Sequence, residues 1–444
     1  MSKFTLTVVV GLLLATSVAH AQTGSWSPYS TSVYNEGPGF RLGNTALVIH
    51  PGLGIEGGYD SNVFYLSHDA IGSGLLRIRA HIDLATLPPQ RREGDTAVSA
   101  EQKLEFRLST QAEYREYLSN IDQVKAQRSF NLYANADLAI LPHAPITLRL
   151  FDNFVRTADP RNAEGVQNFT SDFNRVGFLL SFRPHMGKLE FGVGDYFQFN
   201  LWEDEALRKL GDTIQNEAQA FFRVHFLEKT TGALTVRSRY VRFTNNNSLE
   251  AIPLRITASL ASQITSWFGA AASIGYGNSF HKNGPSFNSA IAHVEARFFL
   301  PLSMKLGLAY DRDFFESIFA NFYADDRLSL GFEMPLTYRL TARVDGGMRF
   351  RHYDGLVLAN TVGYSSYLPT GNDRSDKLYD AHAELGIRAT TWLDFNVSYN
   401  MIVDTTDFRF VNAIDPVTKA PVGMTAVDPS YVKHAVFVRA DFAY

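Results

Sequence analysis

Residues 98–115 read VSAEQKLEFRLSTQAEYR, and this stretch decides the fold. Apolar side chains such as Leu104 and Phe106 occupy every second position, and charged ones such as Glu105 and Arg107 lie between them. Successive side chains point to opposite faces of a β-strand, whereas a helix repeats every 3.6 residues. The stretch therefore predicts a β-strand with one apolar and one polar face.

The same alternation recurs from residue 45 to the C-terminus, and it predicts eighteen strands. An even number is typical of single-chain bacterial barrels. Sixteen is the alternative count, because Arg242 dilutes the pattern of the ninth segment and His382 and Glu384 dilute that of the sixteenth. The segments begin near Ala46, Leu75, Val98, Gln127, Ile146, Phe173, Lys188, Asn216, Ala233, Leu254, Phe268, Asn288, Met304, Phe322, Tyr338, Tyr379, Leu393 and Val432.

Short and long connections alternate between these segments. Tight turns occur at 183–188 and 300–303, for example, whereas 354–377 and 405–429 are long and polar. Short turns at one end and long loops at the other are typical of outer-membrane barrels. We therefore predict an all-β fold at 45–444: a transmembrane, antiparallel, up-and-down β-barrel with short periplasmic turns and long extracellular loops.

The polar face of the strands distinguishes this fold from a soluble β-sandwich, which also alternates. The inner faces of a sandwich fill a dry core, but here Arg, Glu and Asp occur on the second face of nearly every segment. Charged side chains suit a water-filled lumen. An open sheet edge is not tolerated in hydrocarbon, so the strands must close into a barrel. The prediction places the protein in the outer membrane of a Gram-negative bacterium, in contact with its lipid.

The N-terminus predicts export. Lys3 precedes an apolar run at 6–15, and Ala19-His20-Ala21 forms an A-x-A cleavage site before Gln22. This order is that of a secretory signal peptide, and the run is short for a membrane anchor. We predict a signal peptide at 1–21, cleaved between Ala21 and Gln22, followed by a periplasmic linker at 22–44.

Composition excludes several classes of protein. Lys and Arg number 41 against 45 Asp and Glu, and no basic block stands out, so we expect no nucleic-acid partner. The absence of cysteine removes disulfides, thiolate metal sites and cysteine nucleophiles. No run of about 18 apolar residues follows the N-terminus, which excludes a helical polytopic membrane protein.

Motifs for catalysis or cofactor binding are weak. Residues 52–57 match G-x-G-x-x-G, but they lie within a predicted strand and open no helix. His293 with Glu295 offers imidazole and carboxylate on one face without an evident third metal ligand, and Asp311 with Asp313 suits a solvated rim. We predict no enzyme activity, no catalytic residues, no metal and no cofactor.

The polar face supplies the candidate lumen residues. Arginine binds carboxylate or phosphate in a bidentate manner, so an anion-selective pore is one interpretation. Cross-strand salt ladders that stiffen the wall are the other. The candidate pore-lining residues are Arg77, Arg79, Arg107, Arg115, Arg237, Arg239, Arg297, Arg339, Arg343, Arg349, Arg351, Glu101, Glu105, Glu113 and Asp345.

The last segment, residues 432–444, has an outward apolar face that ends in Phe442 and Tyr444. It resembles the terminal strand by which outer-membrane barrels are recognised for assembly, although most relatives end in Phe. The resemblance implies the outer-membrane assembly machinery as a partner.

Residues 58–64, GYDSNVF, resemble the turn typical of the β-barrel porin 2 family of outer-membrane proteins. Some members of that family are similar to the stand-alone barrels of polysaccharide export systems. The resemblance implies a passive conduit for an exopolysaccharide, with a periplasmic export protein and the polysaccharide as partners. A general diffusion porin for small solutes is the alternative function, and a surface structural barrel or adhesin is a third.

Overall fold

The computed structural model describes residues 39–43, 45–86, 103–159, 170–205, 208, 211–245, 249–356, 364–367, 374–406, 408, 410–414 and 421–444. The predicted signal peptide at 1–21, its cleavage site at Ala21 and Gln22, and most of the linker at 22–44 lie outside these residues, as does Glu101.

Eighteen antiparallel strands form one closed barrel, each paired with its neighbours along the chain, and the two-residue strand Phe40–Arg41 pairs with the first of them. The last strand pairs with the first, with Tyr59 opposite Val436, and this pairing closes the sheet. The prediction of eighteen strands is confirmed, including the ninth and sixteenth. The strands are β1 Leu47–Asp60, β2 Ser73–Thr86, β3 Leu104–Leu118, β4 Ser129–Ile140, β5 Ile146–Thr157, β6 Ser171–Phe182, β7 Leu189–Trp202, β8 Thr213–Leu227, β9 Thr230–Phe243, β10 Leu254–Gln263, β11 Phe268–Asn278, β12 Asn288–Phe299, β13 Lys305–Glu316, β14 Ala320–Pro335, β15 Leu340–Leu356, β16 Arg374–Arg388, β17 Leu393–Thr406 and β18 Tyr431–Ala443.

The connections follow the predicted alternation with two departures. The connection after β2 is long although it lies at the short-turn end, and most of it is outside the described residues. The connection at 317–319 is short although it lies at the long-loop end. Three short strands in the long loops, Tyr364–Tyr367, Phe410–Ile414 and Pro421–Val427, pair as a separate small sheet. The loop after β3 carries the one-turn helix Asp122–Lys125. In the described ranges, no helix has the length and apolar character needed to cross a bilayer.

The two faces of the barrel differ in polarity. Along β2, Ile78 and Ile82 are exposed on the outside while Arg77 and Arg79 are buried on the other face. The same contrast holds around the sheet, for example between exposed Val438 and buried neighbours in β18. An outer belt of apolar side chains on a closed barrel is stable only against lipid hydrocarbon. The protein is an outer-membrane β-barrel.

The outer belt predicts a strong effect for a charge at Val438, whose side chain is 56% exposed near the middle of β18. We expect Val438→Arg to lower the free energy of unfolding by about 2–4 kcal/mol, because an arginine at the bilayer midplane is poorly solvated. A urea titration in lipid vesicles measures this change. The matched control is Ala309→Arg, which places the same side chain on the inner face opposite Glu295. Equal losses for the two variants would contradict the assignment of the faces.

Candidate functional site: the inner wall of the barrel

Contacts between distant strands identify the inner wall. Arg239 of β9 lies 3.4 Å from Glu316 of β13, although three strands separate them. Arg255 of β10 donates from Nε to Asp313 of β13 over 3.0 Å, across two strands. Side chains on strands so far apart meet only on the concave side of a curved sheet. The face that carries arginine and carboxylate therefore encloses the lumen, and barrels of this strand number leave an aqueous channel.

A chain of ion pairs crosses β1 to β5 on this wall. Arg79 lies 3.2 Å from Glu56 and donates from Nε to Glu113 over 2.6 Å. Arg115 donates from Nε to the same Glu113 over 2.5 Å, and its two terminal nitrogens reach Asp159, after β5, at 2.6 and 2.8 Å. Burial opposes ionisation of Asp159, but the charge of Arg115 outweighs it and holds the pKa of this carboxyl below its usual value.

Aromatic rings hold several arginines flat against the wall. The guanidinium of Arg351 lies 3.9 Å from the centre of the Tyr323 ring, and its Nε donates to Asp325 over 2.8 Å. The guanidinium of Arg255 lies 4.0 Å from the Phe314 ring. Stacking and ion pairing together fix the guanidinium planes, which favours the stiffened-wall interpretation for these residues.

Near the short-turn end the predicted wall residues are more exposed. Arg297 is hydrogen-bonded to Glu295 two positions away on the same strand. Arg343 Nε lies 3.2 Å from Asp345, and the Arg343 side chain is 40% exposed.

Three further predicted residues lie on the inner face of their strands. Glu105 and Arg107 of β3 share the face of Glu113, and Arg107 is opposite Asp137 of β4. Arg349 Nε lies 3.6 Å from Asp325, a carboxylate that Arg351 already engages.

Arg339 is the exception among the described candidates. It precedes β15 in a tight turn, is exposed, and has its guanidinium 5.1 Å from the ring of neighbouring Tyr338. Arg339 falls on the same every-second-residue pattern as the inner-face residues Arg343 and Asp345, but β15 begins one residue later, at Leu340. Arg77, in contrast, is fully buried on the wall, pairs with Glu56 and stacks 4.0 Å from Phe437.

The sequence did not reveal how the GYDSNVF segment works. In the structure, residues 60–64 form what we call the seam clasp, because they fasten the first hairpin to the last strand. Lys433 of β18 donates from Nζ to Asp60 Oδ2 over 2.8 Å and to the Asn62 carbonyl over 3.1 Å. The Asn62 amide donates to the Val432 carbonyl over 3.1 Å. The Ser61 N–H donates to the His434 carbonyl over 2.9 Å.

The apolar residues of the seam clasp pack onto the inner wall. Val63 and Phe64 are buried with Leu75 of β2, Tyr117 of β3 and Phe437 of β18. Val124 of the short helix joins this cluster. The loop after β1 therefore folds inward over the wall at the seam.

The two aromatic residues at the C-terminus lie near the short-turn end. Phe442 is on the outer face, where its ring stacks 6.1 Å from that of Trp392. The Tyr444 ring stacks 4.3 Å from that of Phe40, and its N–H donates to the Pro51 carbonyl over 3.0 Å. Recognition of this strand by the assembly machinery stays a prediction.

The histidine and carboxylate residues noted in the sequence take part in paired contacts. His293 Nδ1 lies 2.5 Å from Asp311 Oδ1, and its Nε2 lies 3.8 Å from Glu295. His382 lies 2.6 Å from Asn400 and 3.5 Å from Glu384. Across the part of the chain that the structure describes, no group of three or more metal-ligating side chains converges.

Comparisons with known proteins find similar structures but no similar sequences. No family model matches the chain, so the resemblance to the β-barrel porin 2 family is not confirmed. No curated protein matches it either. The outer membrane protein OpdK from Pseudomonas aeruginosa is 11% identical, with 89% of this chain and 99% of that chain covered and a TM-score of 0.46. OccK2 (OpdF) from the same organism is 10% identical, with 89% and 98% covered and a TM-score of 0.46. The siderophore receptor PirA, also from that organism, is 8% identical, with 89% and 80% covered and a TM-score of 0.41.

Proposed function

We propose that the protein is a passive diffusion channel for small hydrophilic solutes in the outer membrane. One observation carries the proposal: a closed barrel of eighteen strands has an inner wall of charged side chains and an outer belt of apolar ones. Barrels of sixteen to eighteen strands are too wide for side chains alone to fill, and they leave a water-filled path. Such a channel needs no cofactor and no catalytic group.

Polysaccharide export, the first expectation from the sequence, receives less support. It depended on the resemblance of residues 58–64 to an exporter-like family and on the mixed charge and aromatic residues of the lumen, such as Tyr196, Phe221 and Tyr323. In this chain the contacts of Asp60, Asn62 and Phe64 account for that segment as a fastening of the barrel seam. Because these contacts give residues 58–64 a structural role, the segment is not evidence for a polysaccharide substrate.

The proposal predicts stepwise conductance when the purified, refolded protein is added to a planar lipid bilayer. We expect an open-channel current that small sugars reduce only slightly. Long neutral or acidic polysaccharides added on the opposite side of the bilayer should leave the current unchanged. Swelling of proteoliposomes in sugars of increasing size measures the size limit. Block of the current by polysaccharide but not by small sugars would favour export, and the absence of any current would indicate a structural barrel.

A further inference from the structure

Most of the outer face of the barrel is apolar, but β5 and β7 each place a carboxylate in the middle of it. The outward positions of β7 run from Leu189 to Leu201, seven in all, and Asp195 is the fourth, while the other six are leucine, valine or phenylalanine. Asp152 is likewise the fourth outward residue of β5, following three aliphatic ones. Each aspartate is the seventh residue of its strand. A spanning strand takes about 9–11 residues, so both carboxylates lie near the middle of the hydrocarbon.

Each of these carboxylates accepts a hydrogen bond from an asparagine on the next strand. Asn174 of β6 donates from Nδ2 to Asp152 over 2.5 Å, and Asn216 of β8 donates from Nδ2 to Asp195 over 2.9 Å. In both pairs the asparagine lies two positions from the residue that is opposite the aspartate in the register. In the part of the chain that the structure describes, neither carboxylate forms an ion pair.

A third outward carboxylate, Asp326 of β14, shows how such a charge is compensated within the barrel. Arg312 of β13 lies 2.7 Å from it, and the Tyr310 hydroxyl donates to it over 2.6 Å. Asp152 and Asp195 have only an amide, and hydrocarbon supplies neither hydrogen bonds nor counter-charge. Ionisable groups at this depth face other protein rather than lipid. The outer face of β5 to β8 therefore calls for a protein neighbour.

The two carboxylate–amide pairs lie at the same height on either side of a common centre. Val176 of β6 and Phe197 of β7, 40% and 42% exposed, are opposite each other in the register and lie between the pairs. A two-fold axis through this centre, along the membrane normal, brings β5 and β6 of one copy against β7 and β8 of a second. The pair on the first two strands then meets the pair on the other two, so the face is complementary to itself, as an isologous interface requires.

We propose that β5 to β8 form the interface of a two-fold symmetric dimer of this chain. An asparagine amide has two N–H donors and a carboxylate has several lone pairs, so each pair bonds within its own copy and to the other copy as well. Apolar side chains gain nothing by exchanging lipid for protein, so polar groups and small residues, here Ala218 and Ala220 of β8, decide where membrane-embedded surfaces meet. The inference concerns a partner and does not depend on conductance.

The first test uses single cysteines in a chain that has none. Val176→Cys places a thiol beside the two-fold axis, and Val438→Cys is the same substitution on β18, away from the proposed interface. In lipid vesicles with a mild oxidant we expect a disulfide-linked dimer for Val176→Cys and monomer for Val438→Cys at the same protein density. Equal cross-linking of both variants, which indicates random collision, overturns the proposal, and so does the absence of cross-linking in both.

The second test removes the polar pairs. In the Val176→Cys background, Asp152→Leu with Asp195→Leu should lower the cross-linked fraction at least about tenfold, because the hydrogen bonds between copies are lost. Asp152→Asn with Asp195→Asn keeps hydrogen-bonding groups at both positions and should retain the dimer. Circular dichroism in the same vesicles checks that each variant keeps its strands. Undiminished cross-linking of the leucine variant overturns the proposal, as does a mass of one or three copies for the unaltered protein in lipid nanodiscs.

Discussion

Replacing Lys433 by methionine is expected to lower the free energy of unfolding by about 3–5 kcal/mol, because the change leaves a buried carboxylate without its counter-charge. Asp60 is 1% exposed and Lys433 is 5% exposed, so water cannot replace the lost partner. Lys433 also holds the Asn62 carbonyl, so the variant loosens the seam clasp at two points. A urea titration in lipid vesicles, followed by tryptophan fluorescence, measures the loss.

The control for this prediction is Lys305→Met. Lys305 lies 2.8 Å from Glu333, the same distance as in the seam pair, but the two side chains are 57% and 33% exposed. An ion pair in water contributes no more than about 1 kcal/mol. The double variant Asp60→Asn with Lys433→Met should recover part of the loss, because it removes the unpaired charge. Equal stability of Lys433→Met and Lys305→Met would contradict a fastening role for the seam clasp.

A second large effect is expected for Glu113→Ala. This carboxylate, 2% exposed, accepts hydrogen bonds from Arg79 and Arg115 and from the Asn131 amide over 3.0 Å. Its removal leaves two neighbouring guanidinium groups facing each other on the buried wall. We expect the free energy of unfolding to fall by about 3–5 kcal/mol, as for other broken buried networks. The same titration in vesicles measures it.

Glu105→Ala is the matched control, because Glu105 lies on the same face of the same strand. Its side chain is 39% exposed and lies 3.4 Å from Nε2 of His143, whose side chain is 55% exposed. We expect a change below about 1 kcal/mol. If Glu113→Ala were as stable as Glu105→Ala, the chain of ion pairs from β1 to β5 would make no net contribution to the free energy of unfolding.

The strand pattern could be predicted from the sequence because each strand must satisfy two different solvents. Outward positions such as Ile78 contact lipid, and inward positions such as Arg79 face the lumen. The polarity of each residue therefore indicates which face of the strand it occupies. This is why the strand number was correct even for the ninth segment, where Arg242 is an outward charge near a strand end. Candidate wall residues followed from the same alternation.

Pairing could not be predicted in the same way. The contact of Arg239 with Glu316 depends on the curvature of three intervening strands, and the contact of Lys433 with Asp60 depends on closure of the barrel. Arg339 shows the related error at a strand end, since alternation continues through a turn where the backbone no longer points inward. Residue type was enough to identify the residues of the inner wall. The partner of each residue could be assigned only from the pairing register of the strands in three dimensions.

The seam clasp also sets an order of events in biogenesis. Asn62 and Val432 are 370 positions apart, so the contacts that fasten the first strand cannot form until the strand that contains Val432 joins the sheet. Contacts of such high sequence separation form late and slowly. A chain truncated before Val432 would leave Asp60 without its lysine partner, Asn62 without its contact to Val432 and two sheet edges unpaired. An incomplete product therefore lacks the contacts that close the barrel, and it differs from the finished protein at the seam.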